Sequence, residues 1–399
     1  MRAQHTPHFL TAFPVYSSAF LSPSHLVLGG GGGTSRTGIK NKLRVYDVGA
    51  DRNIAPVDEL ELERGEDAPM SMAANLETGT LACGVNSPEE MLSKGENENC
   101  RVYALKEQKL GLLSTHGTLI SGDLDDFQKV TVLSPDGKTL AVAGTKSLQL
   151  LSYPSLAPLA LAVNTDKEIY DATFSKNTLV VATTHNLLVY ALPTANSKGS
   201  PSKNKKKGKQ KAVVPSALEL LRTIDAPVSV SGSTGSTFRA ARYHPENTEI
   251  LYTISNTIPG RSRTRKAAPR QAYVCKWNTT TWVVDKVRKV GDKGVTCFAV
   301  SPNGKLLAFG SSDSSVGLLD ANALSPLVAI LKAHEFPPTT LAFNPTSRLL
   351  VSGSADNTIR IIDVPESFEK SSWGWIIMIL ITLIIVLLAF AIQQSGGKP

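Results

Sequence analysis

Over 399 residues this chain has only four cysteines, at 83, 100, 275 and 297, and no two of them are spaced Cys-x-x-Cys. That spacing excludes the usual zinc-knuckle and dithiol redox motifs and predicts reduced, mostly buried thiols of a cytosolic domain. Aromatic residues make up only 6%. The N-terminus, MRAQHTPHFL, has no long apolar run, so a secretory signal is not expected there. Asn278-Thr279-Thr280 matches a glycosylation acceptor, which a cytosolic domain would leave unused. Acid is absent from Ser197–Ser216, which holds seven lysines, and Arg261–Lys266 adds four more bases. Setting these eleven charges aside takes the formal net charge from +8 to −3, so the remaining body is slightly acidic. A nucleic-acid reading of the basic pI therefore loses its structured positive face.

Catalytic constellations are scarce as well. His334, Ser352 and Asp356 together could suggest a hydrolase triad. A structural role for the three is preferred. Asp123, Asp125 and Asp126 lack the spacing and central glycine of a calcium loop and read as a solvated turn. No nucleophile and base, or acid and base, come with a supporting motif. A binding module is expected, not an enzyme.

What is present is repetition. Val295–Asp320 (VTCFAVSPNGKLLAFGSSDSSVGLLD), Thr340–Asp363 (TLAFNPTSRLLVSGSADNTIRIID) and Val130–Leu151 (VTVLSPDGKTLAVAGTKSLQLL) share one grammar: alternating strand, turn, small-residue strand, polar turn, strand. Weaker copies lie at Val15–Val48, Met70–Leu105, Ile169–Leu192 and Phe238–Trp277, giving seven. The pattern resembles WD repeats, with Leu319-Asp320, Ile362-Asp363 and Tyr46-Asp47 in place of the usual Trp-Asp pair. That resemblance implies side-chain hydrogen bonds among His334, Ser352 and Asp356 that rigidify a blade. The expected fold is an all-β, seven-bladed WD-repeat β-propeller over residues 1–368, with insertions at Ser87–Asn99, Ser197–Ser216 (disordered and basic) and Ile258–Arg270. The last blade lacks an outer strand near Val364, and Phe9–Phe13 is expected to supply it.

A single C-terminal transmembrane helix should follow. Trp373–Ile392 carries no charge over twenty residues, and at about 1.5 Å per residue it spans roughly 30 Å, a bilayer core. Residues 393–399 would be a short lumenal tail, with the propeller in the cytosol.

Within the first blade, Leu26–Leu28 and Leu43–Val48 are β-forming, yet fourteen residues separate them and six of these are glycine. Hairpins ordinarily use two to five. A flexible linker is an equal reading from composition alone. A phosphate loop is disfavoured: Gly33-x4-Gly38 is followed by Ile39 where lysine belongs, and then by a strand. Ile39 is an apolar residue among polar neighbours in a surface loop, and reads as an anchor for a partner's pocket.

Gly29–Gly33 followed by Thr37, Gly38, Ile39, Asn41 and Lys42, inside the first blade of a propeller that precedes a membrane span, is similar to the endoplasmic-reticulum guanine-nucleotide exchange factors of the WD-repeat family, whose animal relative is called prolactin regulatory element-binding protein. The resemblance implies an exchange factor for the small GTPase that starts the COPII coat. It also implies that Gly29, Gly30, Gly31, Gly32 and Gly33 hold a potassium ion through backbone carbonyls, and that Thr37, Gly38, Ile39, Lys40, Asn41 and Lys42 meet the GTPase. Ile39 would fill an apolar pocket and Asn41 would bond displaced backbone, with Lys40 and Lys42 attracting acidic groups. A tail-anchored scaffold without exchange activity is the alternative.

Overall fold

The structure is a computed structural model that describes residues 4–35, 37–119, 123, 125–193, 215–231, 235–259, 270–365 and 373–395. Most of the basic insertion at 197–216 and the Arg261–Lys266 run lie outside these residues.

Seven four-stranded antiparallel sheets follow one another along the chain. Blade 1 consists of Val15–Phe20, His25–Gly30, Lys42–Val48 and Ile54–Glu61, counted from the inside outward. Blades 2 to 6 cover residues 71–116, 130–164, 169–225, 236–291 and 295–330 in the same manner. Neighbouring inner strands touch in a closed circle, and the inner strand of blade 1 meets that of blade 7, Pro338–Phe343. This is the expected seven-bladed propeller.

Burial explains which runs became which strands. The second strand of a blade is covered on both faces, so Leu306–Ser311 is buried throughout and reads as a continuous apolar and small-residue run. The outer strand has a free edge, and Val283–Gly291 accordingly alternates exposed and half-buried positions with Lys286, Arg288 and Lys289 along it. Apolar side chains fill the gaps between adjacent sheets: Phe20, Leu26 and Leu28 of blade 1 pack against Val351, Ile359 and Ile361 of blade 7.

The ring closes through the N-terminus, four residues earlier than expected. The outer strand of blade 7 is His5–Phe9, pairing in register from His5 with Ile362 to Phe9 with Thr358. Phe9–Phe13 is not that strand. Phe9 is 72% exposed, whereas Phe13 is fully buried between blades 7 and 1. Ala12 turns the chain at φ 48° between the two, so Leu10 and Phe13 enter the core after the strand has ended.

Two smaller expectations also change. Asp126 is not a solvated turn residue: its carboxylate accepts from the backbone N–H and hydroxyl of Thr145 at 2.7 and 2.8 Å, bracing the second hairpin of blade 3. The insertion after Val85 holds a short helix, Glu89–Leu92. The cysteines are free, three of them buried and Cys297 half-buried, and burial pushes the Cys100 and Cys275 thiols up to about 12.

A second unit contains the helix Trp373–Ser395. Its described side chains, at 378–389 and 391, are all exposed. Twelve consecutive residues cover only about 18 Å, and among the described residues no helix is long and apolar enough to cross a membrane. The expected span at 373–392 includes residues whose side chains lie outside the description, as does the tail at 396–399.

Candidate functional site

The glycine run is divided between sheet and loop. Gly29 and Gly30 are the last two residues of the strand His25–Gly30 and pair on both sides, with Ser17 and Val15 of one neighbour and Leu43 and Lys42 of the other. A strand so flanked aims its carbonyls alternately at its two neighbours. Glycine is needed there for close approach: a Cβ at Gly29 would lie 2.5 Å from Ser17 Oγ and 2.7 Å from Pro69 Cβ, and one at Gly30 would lie 2.2 Å from the Pro14 carbonyl. Only Gly31–Gly33 belong to the loop, which runs to Asn41.

Asn41 holds that loop together. Its side chain is buried, at 9% exposure. Oδ1 accepts from the Gly33 N–H at 2.9 Å, while Nδ2 donates to the Gly33 carbonyl at 2.9 Å and to the Glu66 carbonyl at 2.6 Å. The amide thereby imitates a paired strand across the loop base and ties it to the crossover into blade 2. Gly31 makes room for this at φ +141°, with a Cβ there falling 2.3 Å from Asn41 Oδ1. Asn41 was expected to bond a partner's backbone. In the free chain both Nδ2 hydrogens are taken up internally and Oδ1 accepts once.

The crossover is itself anchored. Glu66 pairs with Arg101 of blade 2 at 2.6 Å, both side chains 8% exposed, and also accepts from the Glu63 N–H at 2.9 Å. Such a buried pair is costly to break on one side only. Next to it, burial raises the Asp67 carboxyl above its ordinary value, although the Ala68 and Thr34 backbone groups pull the other way. No ion-pair partner of Asp67 occurs among the described residues.

At the tip, Thr37, Gly38 and Lys40 are exposed and Ile39 is half-buried. The Ile39 backbone folds back over Gly32, where an added Cβ would come within 2.8 Å of the Ile39 carbonyl. Arg36 lies outside the described residues. Lys40 pairs with Glu61, and Lys42 with Glu59 and, at 3.7 Å, with Glu61; Arg44 pairs with Glu59 at 2.7 Å. Both lysines expected to attract a partner's acids already have acids of their own.

His334, Ser352 and Asp356 do come together, in blade 7. His334 Nε2 is 2.7 Å from Ser352 Oγ and Nδ1 is 2.7 Å from Thr358 Oγ1, while Asp356 accepts from the Thr358 and Glu335 backbone N–H groups. Ser352 has no exposed surface, so no substrate reaches it. Burial pulls His334 down to about 4, which keeps the ring neutral. Among the described residues no cluster of three His, Cys, Asp or Glu could hold a metal ion.

The description "WD domain, G-beta repeat" matches residues 286–320 and 325–363, each taking in the outer strand of one blade and the inner three strands of the next, blades 6 and 7. The guanine nucleotide-exchange factor SEC12 of Candida glabrata is 28% identical over 179 residues, covering 43% of this chain and 39% of its own length. SED4 of Candida glabrata is 25% identical over 46% of this chain and 17% of its own length. SED4 of Saccharomyces cerevisiae is 22% identical over 81% of this chain and 28% of its own length. The chain thus spans well under half of each of these relatives. The crystal structure of Chaetomium thermophilum Raptor covers 91% of this chain and 29% of its own at a TM-score of 0.62 and 13% identity, a likeness of fold alone. In its propeller, its two matched repeats and these relatives, the chain is similar to the SEC12-like WD-repeat proteins.

Proposed function

We propose that the chain is a guanine-nucleotide exchange factor for a small GTPase, that the GTPase is the one initiating the COPII coat, and that the loop 31–41 is the element that opens it. The observation that carries this reading is the loop: an exposed tip bearing Ile39, fixed at its base by a buried asparagine, in a chain whose relative is named an exchange factor.

Exchange needs no covalent step. A nucleotide held at about nanomolar affinity contributes about 12 kcal/mol, so its unassisted release is slow. A protein that binds the nucleotide-free form more tightly weakens nucleotide binding by the same factor, through linkage. The loop suits this task because its base is ordered before the partner arrives, so little backbone entropy is lost on docking. Ile39 is the apolar residue offered at the tip, and Thr37 and Gly38 stand beside it. The direction of exchange comes from the excess of GTP in the cell.

With the full chain in detergent micelles, release of a fluorescent GDP analogue from the candidate GTPase should be accelerated, and Ile39→Ala should lower that rate more than tenfold with little change in thermal midpoint. Wild-type rates for the variant would remove Ile39 from the site. No acceleration by the unaltered chain on any small GTPase would remove the function.

A potassium ion fits part of the expected set. Gly29 and Gly30 are committed to the sheet, which leaves Asp67 and the Gly31–Gly33 carbonyls as the groups that would hold it, with Gly32 and Gly33 offering the lone pair not already engaged by Ser35 and Asn41. A bound cation would neutralise Asp67 and cross-link the loop to the blade 2 crossover. The sign is testable. A carboxyl raised by burial costs the fold stability that is intact below the unfolded-state pKa and is lost as pH climbs through the folded one. Near neutral pH, potassium in place of lithium at equal ionic strength should then raise the thermal midpoint by about 1–3 °C. Asp67→Asn should abolish the difference between the two salts; a difference that persists in this variant places the ion elsewhere.

The apolar run 373–392 supports a single span in the endoplasmic-reticulum membrane with the propeller on the cytosolic side, which would confine GTP loading to that surface.

A further inference from the structure

The inner strands of all seven blades run in the same sense, so their N-terminal ends ring one mouth of a central channel of about 570 Å³. The glycine loop rises beside this mouth. Gly31 N–H donates to the Pro14 carbonyl at 3.0 Å, and Pro14 precedes Val15 and Tyr16, of which Tyr16 lines the channel. A partner burying about 800 Å² on this face would cover a disc roughly 30 Å across. Docked on the loop, a partner of that size would extend over the adjoining channel mouth.

The wall contributed by blades 3 to 5 is basic and aromatic. Lys129 lies 5.6 Å over the Phe127 ring and pairs with Glu168, which also accepts from the Tyr170 hydroxyl at 2.9 Å. Deeper in, Arg242 pairs with Asp171. Arg239 has no such partner. Its guanidinium lies 5.4 Å over the Tyr170 ring and its Nε donates to the Thr296 carbonyl at 3.1 Å, but no carboxylate among the described residues comes within ion-pair distance of it. Three cations therefore face two carboxylates along this wall, with Glu168 close enough to feel Arg239 but paired directly with Lys129. The surplus charge sits on a planar group already fixed on one face by a ring and at one nitrogen by the backbone. Two nitrogens remain in the fork geometry that suits a carboxylate.

We infer that this mouth is a second contact for the partner engaged by the glycine loop, and that it takes an acidic side chain or short acidic segment onto Arg239. The inference rests on the exchange reading for the partner's identity, and, for the chemistry, on an arginine without a direct ion pair on a wall with one more cation than carboxylates. Loop and mouth then divide the work: the loop acts on the nucleotide site, and the mouth supplies affinity and orientation through charge.

Rate against GTPase concentration separates the two. Arg239→Gln should raise the half-saturating concentration about tenfold and leave the maximal rate unchanged, whereas Ile39→Ala lowers the maximal rate. Arg239→Lys, which keeps the charge but not the fork, should fall between. Thermal midpoints identify a variant that has merely lost packing on Tyr170, and comparison of the Lys and Gln variants then still reports the charge. An unchanged half-saturating concentration in Arg239→Gln overturns the inference. If the unaltered chain accelerates no exchange at all, the function has failed and hexaglutamate titrated into the full chain decides the rest. Salt-sensitive binding that weakens in Arg239→Gln upholds the acidic-ligand site. Absence of binding, or equal binding of inorganic phosphate, overturns it.

Discussion

Replacing Asn41 with alanine is expected to abolish stimulated nucleotide release almost completely, by about a hundredfold or more, through the loop base that its side chain holds. The amide makes three hydrogen bonds, and its removal leaves the Gly33 N–H and the Gly33 and Glu66 carbonyls without the partner that satisfies them. At about 1 kcal/mol each, with the Glu66 bond buried and the two Gly33 bonds half-buried, the loop base loses up to about 3 kcal/mol. A factor of a hundred in the population of the ordered loop corresponds to about 2.7 kcal/mol, so the latch and the expected effect agree in size. Asn41→Asp should be no better: Oδ1 can still accept from Gly33, but the second oxygen then meets two carbonyls and cannot donate. Hydrogen exchange on the free protein separates this account from direct contact. In Asn41→Ala the amides of residues 31–35 should lose protection before any GTPase is added. Retained protection together with lost activity would return Asn41 to the interface.

Much of the architecture is readable from the chain because each blade writes its inner three strands in nearly the same words. Leu306–Ser311 and Leu349–Ser354 are covered on both faces and must be apolar or small. Outer strands are harder to see. Leu220–Asp225 and Val283–Gly291 are largely exposed, so their sequences answer to solvent and to edge protection and resemble loops. The closing strand was placed four residues late for a related reason. Phe9 and Phe13 look alike in sequence, yet one faces solvent and the other the core, and only the turn at Ala12 between them decides which.

The site was legible as an anomaly in loop length and glycine content, and its tip residues are where the repeat pattern puts them. Its internal chemistry was not legible. Nothing in a run of five glycines indicates that the first two exist to let Ser17, Pro69 and Pro14 approach. The bond from Asn41 to Glu66 spans 25 residues and a change of blade, so no local motif announces it. Arg239 was invisible for the opposite reason: lone arginines in strands are ordinary, and this one matters through the carboxylate it lacks. Lys40 and Lys42 were legible as charges, but their pairing with Glu59 and Glu61 depends on the register of the two outer strands of blade 1.

A chain lacking residues 2–12 should fail to form a stable propeller. The deletion removes five paired residues of blade 7, the Leu10 N–H bond to the Asn357 carbonyl at 2.8 Å, and the bond from the Asp363 N–H to the Gln4 carbonyl at 2.8 Å. It also removes Leu10, buried at 5% exposure, whose transfer from water contributes about 2 kcal/mol. Some five ladder bonds at about 1 kcal/mol bring the loss to about 7 kcal/mol, comparable with the whole stability of an ordinary domain at about 5–15 kcal/mol. The remaining edge, Thr358–Asp363, would carry unpaired N–H and C=O groups and invite strand addition from other molecules. Two controls locate the effect. Phe9→Ala, at a mostly exposed position, should shift the thermal midpoint little, whereas Leu10→Ala should cost about 2–3 kcal/mol. A synthetic peptide of residues 4–13 added to the truncated chain should restore cooperative melting, because the strand acts through pairing and through no covalent necessity. A truncated chain that melts at the same temperature as the full one would show that the ring is closed by the inner strands of blades 1 and 7 alone, through contacts such as Ser18 Oγ to Thr340 Oγ1 at 2.8 Å, with the outer strand an ornament to a circle that already holds.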